Sequence, residues 1–117
     1  MIGLAAGAMA VATIPVSFTG NWVVAHQSCS TGENHVRLYI AANQIDDGEF
    51  DARVDRVEKL ASNRIRVSVT WLSAEDEQRQ IFILTLGGNG LQLSERIVST
   101  DGKALARPKV IGWKRCP

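Results

Sequence analysis

The chain has 117 residues with 13 basic and 12 acidic side chains, so its formal net charge at neutral pH is +1. Acids and bases are interspersed, which argues against nucleic acid as a partner, because that function needs a face with a strong positive excess. The length fits one domain: we expect residues 1–15 to be a signal peptide or N-terminal extension and residues 16–117 to form a single domain.

The N-terminal stretch is apolar and has no Asp, Glu, Lys or Arg before Glu33. Ala8-Met9-Ala10 and Ala10-Val11-Ala12 both fit the small-x-small pattern of a signal-peptidase site. The apolar run over residues 2–14 is shorter than the about 20 residues that cross a bilayer, so no stable membrane span is expected. These features predict an exported protein, periplasmic or secreted. No Lys or Arg opens the stretch, so an ordered extension of the fold remains the alternative.

The residues after this stretch predict β-strands, because apolar side chains recur at every second position. Residues 22–26 predict a first strand and residues 36–42 a second. Asp46-Asp47-Gly48 predicts a tight turn, since glycine readily adopts a positive φ. Residues 50–60 then form a third strand whose alternation breaks near Val57, which predicts a β-bulge.

Residues 52–60 also admit a short helix. Val54, Val57 and Leu60 have the i, i+3 spacing of a helical face, with charged residues between them. We prefer the strand, and the helix is the alternative.

The second half of the chain repeats the pattern of strand and turn. Ser62-Asn63, Gly87-Gly88-Asn89-Gly90 and Asp101-Gly102 predict turns, and residues 74–77 predict a polar loop. Four strands are expected between and after these signals: residues 65–71, 80–86, 91–98 and 110–115.

About seven or eight short strands with short connections predict an all-β fold. The expected architecture is a small antiparallel up-and-down barrel, because closing the sheet removes exposed edges that invite aggregation. Val, Ile and Leu on the inward faces predict an interior filled by side chains.

Two cysteines lie near opposite ends of the strand pattern. Cys29 follows the first predicted strand and Cys116 is the penultimate residue. Their placement predicts one disulfide that joins the two ends of the domain, as in other small exported domains. A metal site is the weaker alternative, because no second cysteine pair is present and His26 and His35 lack the usual ligand spacing. No metal and no cofactor are expected.

Two sequence motifs carry a resemblance. The chain begins its strands with Gly20-Asn21-Trp22, has a cysteine seven residues later and ends on Trp113-Lys114-Arg115-Cys116. It thereby resembles small exported bacterial β-barrel proteins of unknown function that have a G-x-W start and an aromatic-x-Arg-Cys end. The G-x-W start is also similar to that of lipocalin-like or calycin-like barrels, including periplasmic protease inhibitors with one disulfide.

The lipocalin-like resemblance implies a structural role for Trp22. In those barrels a Trp at this point plugs one end of the barrel against a basic residue of the last strand. Arg115 is the expected partner, with Lys114 as the alternative, through a cation–π contact. Trp71 and Trp113 are interpreted as core or rim residues.

No catalytic residues are expected. His26 and His35 lie close in sequence to Cys29, but a nucleophilic thiol must be free of a disulfide. The carboxylates cluster in predicted turns, where they are most simply solvated. The protein is therefore not expected to be an enzyme.

The remaining interpretation is an exported binding module, of a protein-binding or inhibitor type. Its partner would be an unknown periplasmic protein or cell-envelope component, held by exposed loops around Asp47, Glu75 and Asn89. The alternative is a small-molecule carrier with a calycin-like cavity. An enclosed apolar cavity of a few hundred Å³ would favour the carrier.

Overall fold

The structure is a computed structural model that describes residues 10–11, 13–29, 36–73 and 76–117. Nine strands lie within these residues. In chain order they are β1 (Ala10–Val11), β2 (Gly20–Val24), β3 (Arg37–Ile40), β4 (Gln44–Asp46), β5 (Asp51–Ala61), β6 (Arg64–Leu72), β7 (Glu77–Gly87), β8 (Gln92–Thr100) and β9 (Lys103–Cys116).

Strands β2 to β9 form a closed barrel in which each strand is antiparallel to the next. The barrel closes where β2 pairs with β9, with Trp22 opposite Arg115 and Val24 opposite Trp113. The predicted up-and-down barrel of about seven or eight strands is therefore confirmed, and it has eight. The closing pairing covers only residues 113–116 of β9, and the earlier part of that strand pairs with β8 alone.

Strand β5 pairs with three other strands. Its beginning pairs with β4, and Val57 and Glu58 pair instead with β1, while β6 lies along its other side. The β5–β6 register shifts between Val54 and Arg56, which leaves Asp55 in a bulge. It shifts again between Lys59 and Ala61, in the part of the strand where the irregularity was predicted. Residues 52–60 are strand, so the helical alternative is wrong.

Alternate residues of the strands point into the barrel and form one apolar core. The core also takes in residues that precede β2. Ile14 is 3% exposed, its N–H donates to the carbonyl oxygen of Ala42 at 2.7 Å, and Phe18 is buried at the end of a 3₁₀ turn over Val16–Phe18. The packed region thus reaches two residues ahead of the predicted domain start at Val16. No helix of the described residues is both long and apolar enough to cross a membrane.

Two strands differ from the sequence prediction. Strand β4 was missed, because Ile45 is its only buried residue and a three-residue strand shows no alternation. Strand β9 begins at Lys103, seven residues before the predicted start. Pro108 has no N–H to donate, and it lies beside an irregular part of the β8–β9 ladder, between the pairs of Ile97 and Ser99. Because of this interruption and the basic residues around it, the first part of β9 shows no clear alternation of apolar residues in the sequence.

The predicted disulfide between Cys29 and Cys116 is present. The two Cα atoms are 5.6 Å apart and the bond joins residues 87 positions apart in the chain. After β2 the chain turns at Ala25 and His26 and folds back along β9, so that Cys29 meets the end of the last strand. The disulfide therefore fastens the β2–β3 connection to the C-terminus.

Candidate functional site

One end of the barrel is closed by Trp22. Its ring is fully buried, and its indole N–H donates to the carbonyl oxygen of Phe18 at 3.1 Å. The guanidinium carbon of Arg115 lies 4.3 Å from the centre of the Trp22 ring, which is cation–π geometry. Lys114 starts from the opposite face of β9, because side chains alternate along a strand. Arg115 is therefore the residue that covers Trp22.

Gly20 explains why the G-x-W motif needs glycine. Its φ is +125°, a conformation that side chains rarely adopt, and a Cβ atom there would lie 3.0 Å from Nη1 of Arg115. The glycine thus leaves room for the guanidinium that caps Trp22. This end of the barrel is structural.

The opposite, open end of the barrel contains a cup with a volume of about 510 Å³. The apolar core fills the rest of the interior, and the expected filling by side chains stops short at this end. Most of its lining is apolar or aromatic and comes from β3, β6, β8, β9 and the β4–β5 turn: Val36, Leu38, Phe50, Trp71, Ile97, Ile111 and Trp113. The sequence interpretation placed Trp71 and Trp113 in the core or rim, and the structure places both on the wall of this cup.

Glu95 is the buried charged residue of the cup. Its side chain is on the inward face of β8, and the residue is only 6% exposed. Oε1 accepts a hydrogen bond from the indole N–H of Trp113 at 3.1 Å. Burial raises the pKa of Glu95, and this outweighs the opposing effects of the Trp113 hydrogen bond and the positive charge of Lys109.

The second indole of the cup is also held by a hydrogen bond. Trp71 donates its N–H to Oε1 of Gln80 at 2.8 Å, and the amide nitrogen of Gln80 lies 3.5 Å from Oγ1 of Thr100. Both tryptophan rings therefore have a defined orientation in an otherwise apolar wall, because each polar edge has an acceptor.

Acidic residues line the mouth of the cup. Asp47 and Asp76 contribute to the lining. Oδ1 of Asp47 accepts the backbone N–H groups of Glu49 and Phe50 at 2.9 and 2.8 Å. This turn structure places the Phe50 ring beside the opening.

The structure does not bring the three predicted binding loops together. Asp47 lines the cup, whereas Asn89 lies at the closed end, in the turn Gly88–Gly90, where its φ is 60°. The carbonyl oxygen of Gly90 in that turn accepts a hydrogen bond from Arg115. Glu75 is outside the described residues.

His26 is not among the residues that line the cup. His26 is exposed in the turn after β2. His35 falls outside the described residues, so its predicted lack of a role stays a prediction. Cys29 is in the disulfide and has no free thiol to act as a nucleophile.

The sequence reading missed Glu95, although a signal was present. Leu93, Glu95 and Ile97 share one face of a predicted strand, and that face points inward. A carboxylate in the inward register of an apolar strand is costly unless it is paired or functional. A carboxylate at a position where the pattern expects an apolar side chain therefore marks Glu95 as a candidate site residue.

Comparisons with protein-family models, with curated proteins and with solved structures found no match to this chain. The function is therefore argued from the cup itself. The cup offers an apolar wall, two oriented indoles and one buried carboxyl group, which together can hold a small molecule.

Proposed function

We propose that this protein is an exported binding module that holds a small, largely apolar molecule in the cup at the open end of the barrel. The observation that supports this most directly is the cup itself. Its volume of about 510 Å³ lies within the roughly 300–1,000 Å³ typical of small-molecule sites. The cup is open to solvent and is not the enclosed cavity named above as the deciding feature, so the carrier is supported by the volume and the largely apolar lining of the cup.

The polar groups of the cup fit this function. Ligand sites are mostly apolar with a few placed polar groups that orient the ligand. Glu95 supplies one such group, and the hydrogen-bonded indoles of Trp71 and Trp113 supply rigid aromatic surfaces. A buried carboxyl group that costs folding energy is expected where it serves binding.

Export is part of the proposal. The disulfide between Cys29 and Cys116 suits an oxidising compartment. Cleavage after either predicted site, at Ala10 or at Ala12, would leave Ile14 and the rest of the core in the mature chain. The proposed location, periplasmic or secreted, follows from these two features.

A partner protein at the mouth is the second candidate. Three large apolar side chains near the open end are exposed: Val36, Phe50 and Leu72. Clustered exposed apolar residues often mark a contact surface. In this second candidate function the protein would bind an exported partner protein, as the resemblance to lipocalin-like inhibitors implies.

Uptake of a neutral apolar dye tests the carrier function. N-phenyl-1-naphthylamine fluoresces strongly only in apolar surroundings, and we expect saturable binding with about one site per chain. Ile111→Trp fills the cup and should abolish this binding. Val110→Trp is the matched control, because Val110 is the neighbouring residue and is 62% exposed on the outer face.

The two variants separate the cup from the rest of the surface. Circular dichroism establishes that both remain folded. If Ile111→Trp binds the dye as well as Val110→Trp does, the dye binds elsewhere and the carrier function is rejected. His26→Ala and His35→Ala are expected to leave dye binding unchanged.

A further inference from the structure

The charged side chains that line the cup all have the same sign. They are Asp47, Asp76 and Glu95, and no Lys or Arg is found among the described lining residues. Lys109 is the base whose charge reaches Glu95. It is exposed and lies outside the lining, and no salt bridge of the described residues joins it to Glu95. The carboxylates of the lining therefore favour positive charge in the cup, and the charge of Lys109 opposes them at Glu95.

One oxygen of Glu95 is available to a ligand. Oε1 accepts the Trp113 N–H, whereas Oε2 accepts no hydrogen bond from any described residue. Every fully enclosed side-chain nitrogen or oxygen in the described part of the chain has a partner. Oε2 is thus not sealed within protein, and the cup is the space that Glu95 lines.

We propose that the ligand of the cup is a protonated amine with an apolar body, whose ammonium group donates to Oε2 of Glu95. This inference rests on the proposed carrier function and adds the chemical class of the ligand. The apolar body lies against the isoleucines and aromatic rings of the wall. The ring faces of Trp71 and Trp113 can add cation–π attraction to the same ammonium group.

The energetics favour an amine over a neutral ligand. Folding has already removed most water from Glu95, so a ligand ammonium does not bear the cost of desolvating the carboxylate. A hydrogen bond between two charged groups is also stronger than one between neutral groups. An anionic ligand would face three carboxylates within one cavity.

Three ligands with ten carbon atoms each test the proposal: decylammonium, decan-1-ol and decanoate. Each is used to displace N-phenyl-1-naphthylamine from the full chain at about pH 8, where the amine is still protonated. We expect decylammonium to bind about tenfold more tightly than decanol, the ratio of one charge-assisted hydrogen bond. Decanoate should bind most weakly.

Glu95→Gln assigns the preference to the carboxylate. This variant keeps an oxygen for the Trp113 N–H and removes the charge, so it should bind decanol as the native chain does and lose the preference for decylammonium. Glu58→Gln is the matched control. Glu58 forms salt bridges with Arg56 and Arg66 on the outer face, and its removal should leave the tenfold ratio intact.

The outcomes separate this inference from the carrier function. If decanol or decanoate binds as tightly as decylammonium, the amine preference is refuted and the carrier function stands. If the native chain binds neither the dye nor any decyl ligand, both are refuted. A preference for decylammonium that survives in Glu95→Gln would place the ammonium elsewhere and would also overturn the proposal.

Discussion

Arg115 and Trp22 lie opposite each other in the last and first strands of the barrel, and the guanidinium carbon is 4.3 Å from the ring centre. The same guanidinium donates to three backbone carbonyl oxygens, those of Ser17, Thr19 and Gly90, at 2.7, 2.7 and 2.8 Å. One side chain thus joins the N-terminal turn, the barrel closure and the β7–β8 turn.

We expect Arg115→Lys to lower the free energy of unfolding by about 2–3 kcal/mol. Lysine retains the charge but cannot make three planar hydrogen bonds while stacking on the indole. Urea unfolding followed by circular dichroism measures the change. Arg96→Lys on the exposed face of β8 is the control and should remain within about 0.5 kcal/mol of the native value. Equal effects of the two substitutions would show that the geometry at Arg115 contributes nothing.

The disulfide should contribute several kcal/mol to stability. Replacing Cys29 and Cys116 together by serine removes a cross-link over 87 residues, for which chain entropy gives an upper value of about 4–5 kcal/mol. The urea midpoint should fall, and adding a reductant should lower the native midpoint without affecting the double variant. When the protein with both cysteines is denatured without a reductant, no thiol should be available for alkylation. Two alkylated thiols would contradict the bond.

The start of the packed core can be found by trimming the chain. A protein that begins at Thr13 keeps Ile14 and should unfold within a few degrees of the full chain. One that begins at Val16 loses a buried isoleucine and its hydrogen bond to Ala42, which should cost about 2–4 kcal/mol. Thermal unfolding measures both. Equal midpoints for the two trimmed chains would mean that Ile14 is not part of the core.

Most of the fold followed from period-two patterns. Residues 65–71 and 80–86 were predicted well because their buried apolar residues recur at every second position: Ile65, Val67 and Val69 in one strand and Phe82 and Leu84 in the other. The pattern failed where a strand was too short to alternate, as at Ile45, or was interrupted by a residue that cannot pair, as at Pro108. A sequence pattern describes one strand at a time. The strands that contain Ile45 and Pro108 form because a neighbouring strand pairs with them, which such a pattern does not show.

The candidate site was harder to predict than the fold. Asp47 was singled out as a loop residue, and the structure places it on the cup lining. The depth of the cup depends on which inward side chains meet across the barrel, for example Trp113 and Glu95, which are 18 positions apart. Such pairs follow from the register between neighbouring strands, and no local pattern in the sequence specifies that register.

Glu95 should make the protein less stable as the pH rises. Because burial raises the pKa of Glu95 in the folded protein, the folded state binds more protons than the unfolded state between the unfolded and the folded pKa. The stability linked to this group is fully present below the unfolded pKa and is lost as the pH rises through the folded pKa. Lys109 and Asp47, whose charges also reach Glu95, act on its pKa in opposite directions.

Glu95→Gln should remove this dependence. The amide oxygen can still accept the Trp113 N–H, and no buried charge forms at high pH. At about pH 8 the variant should exceed the native chain in unfolding free energy, and the difference should be smaller at about pH 4. Glu58→Gln on the outer face should show no gain at about pH 8, because it loses its salt bridges to Arg56 and Arg66. Urea unfolding of the three proteins at both pH values measures these differences. A Glu95→Gln protein that is less stable than the native chain at about pH 8 would mean that the carboxylate is satisfied by the fold, with no cost left for a ligand to relieve.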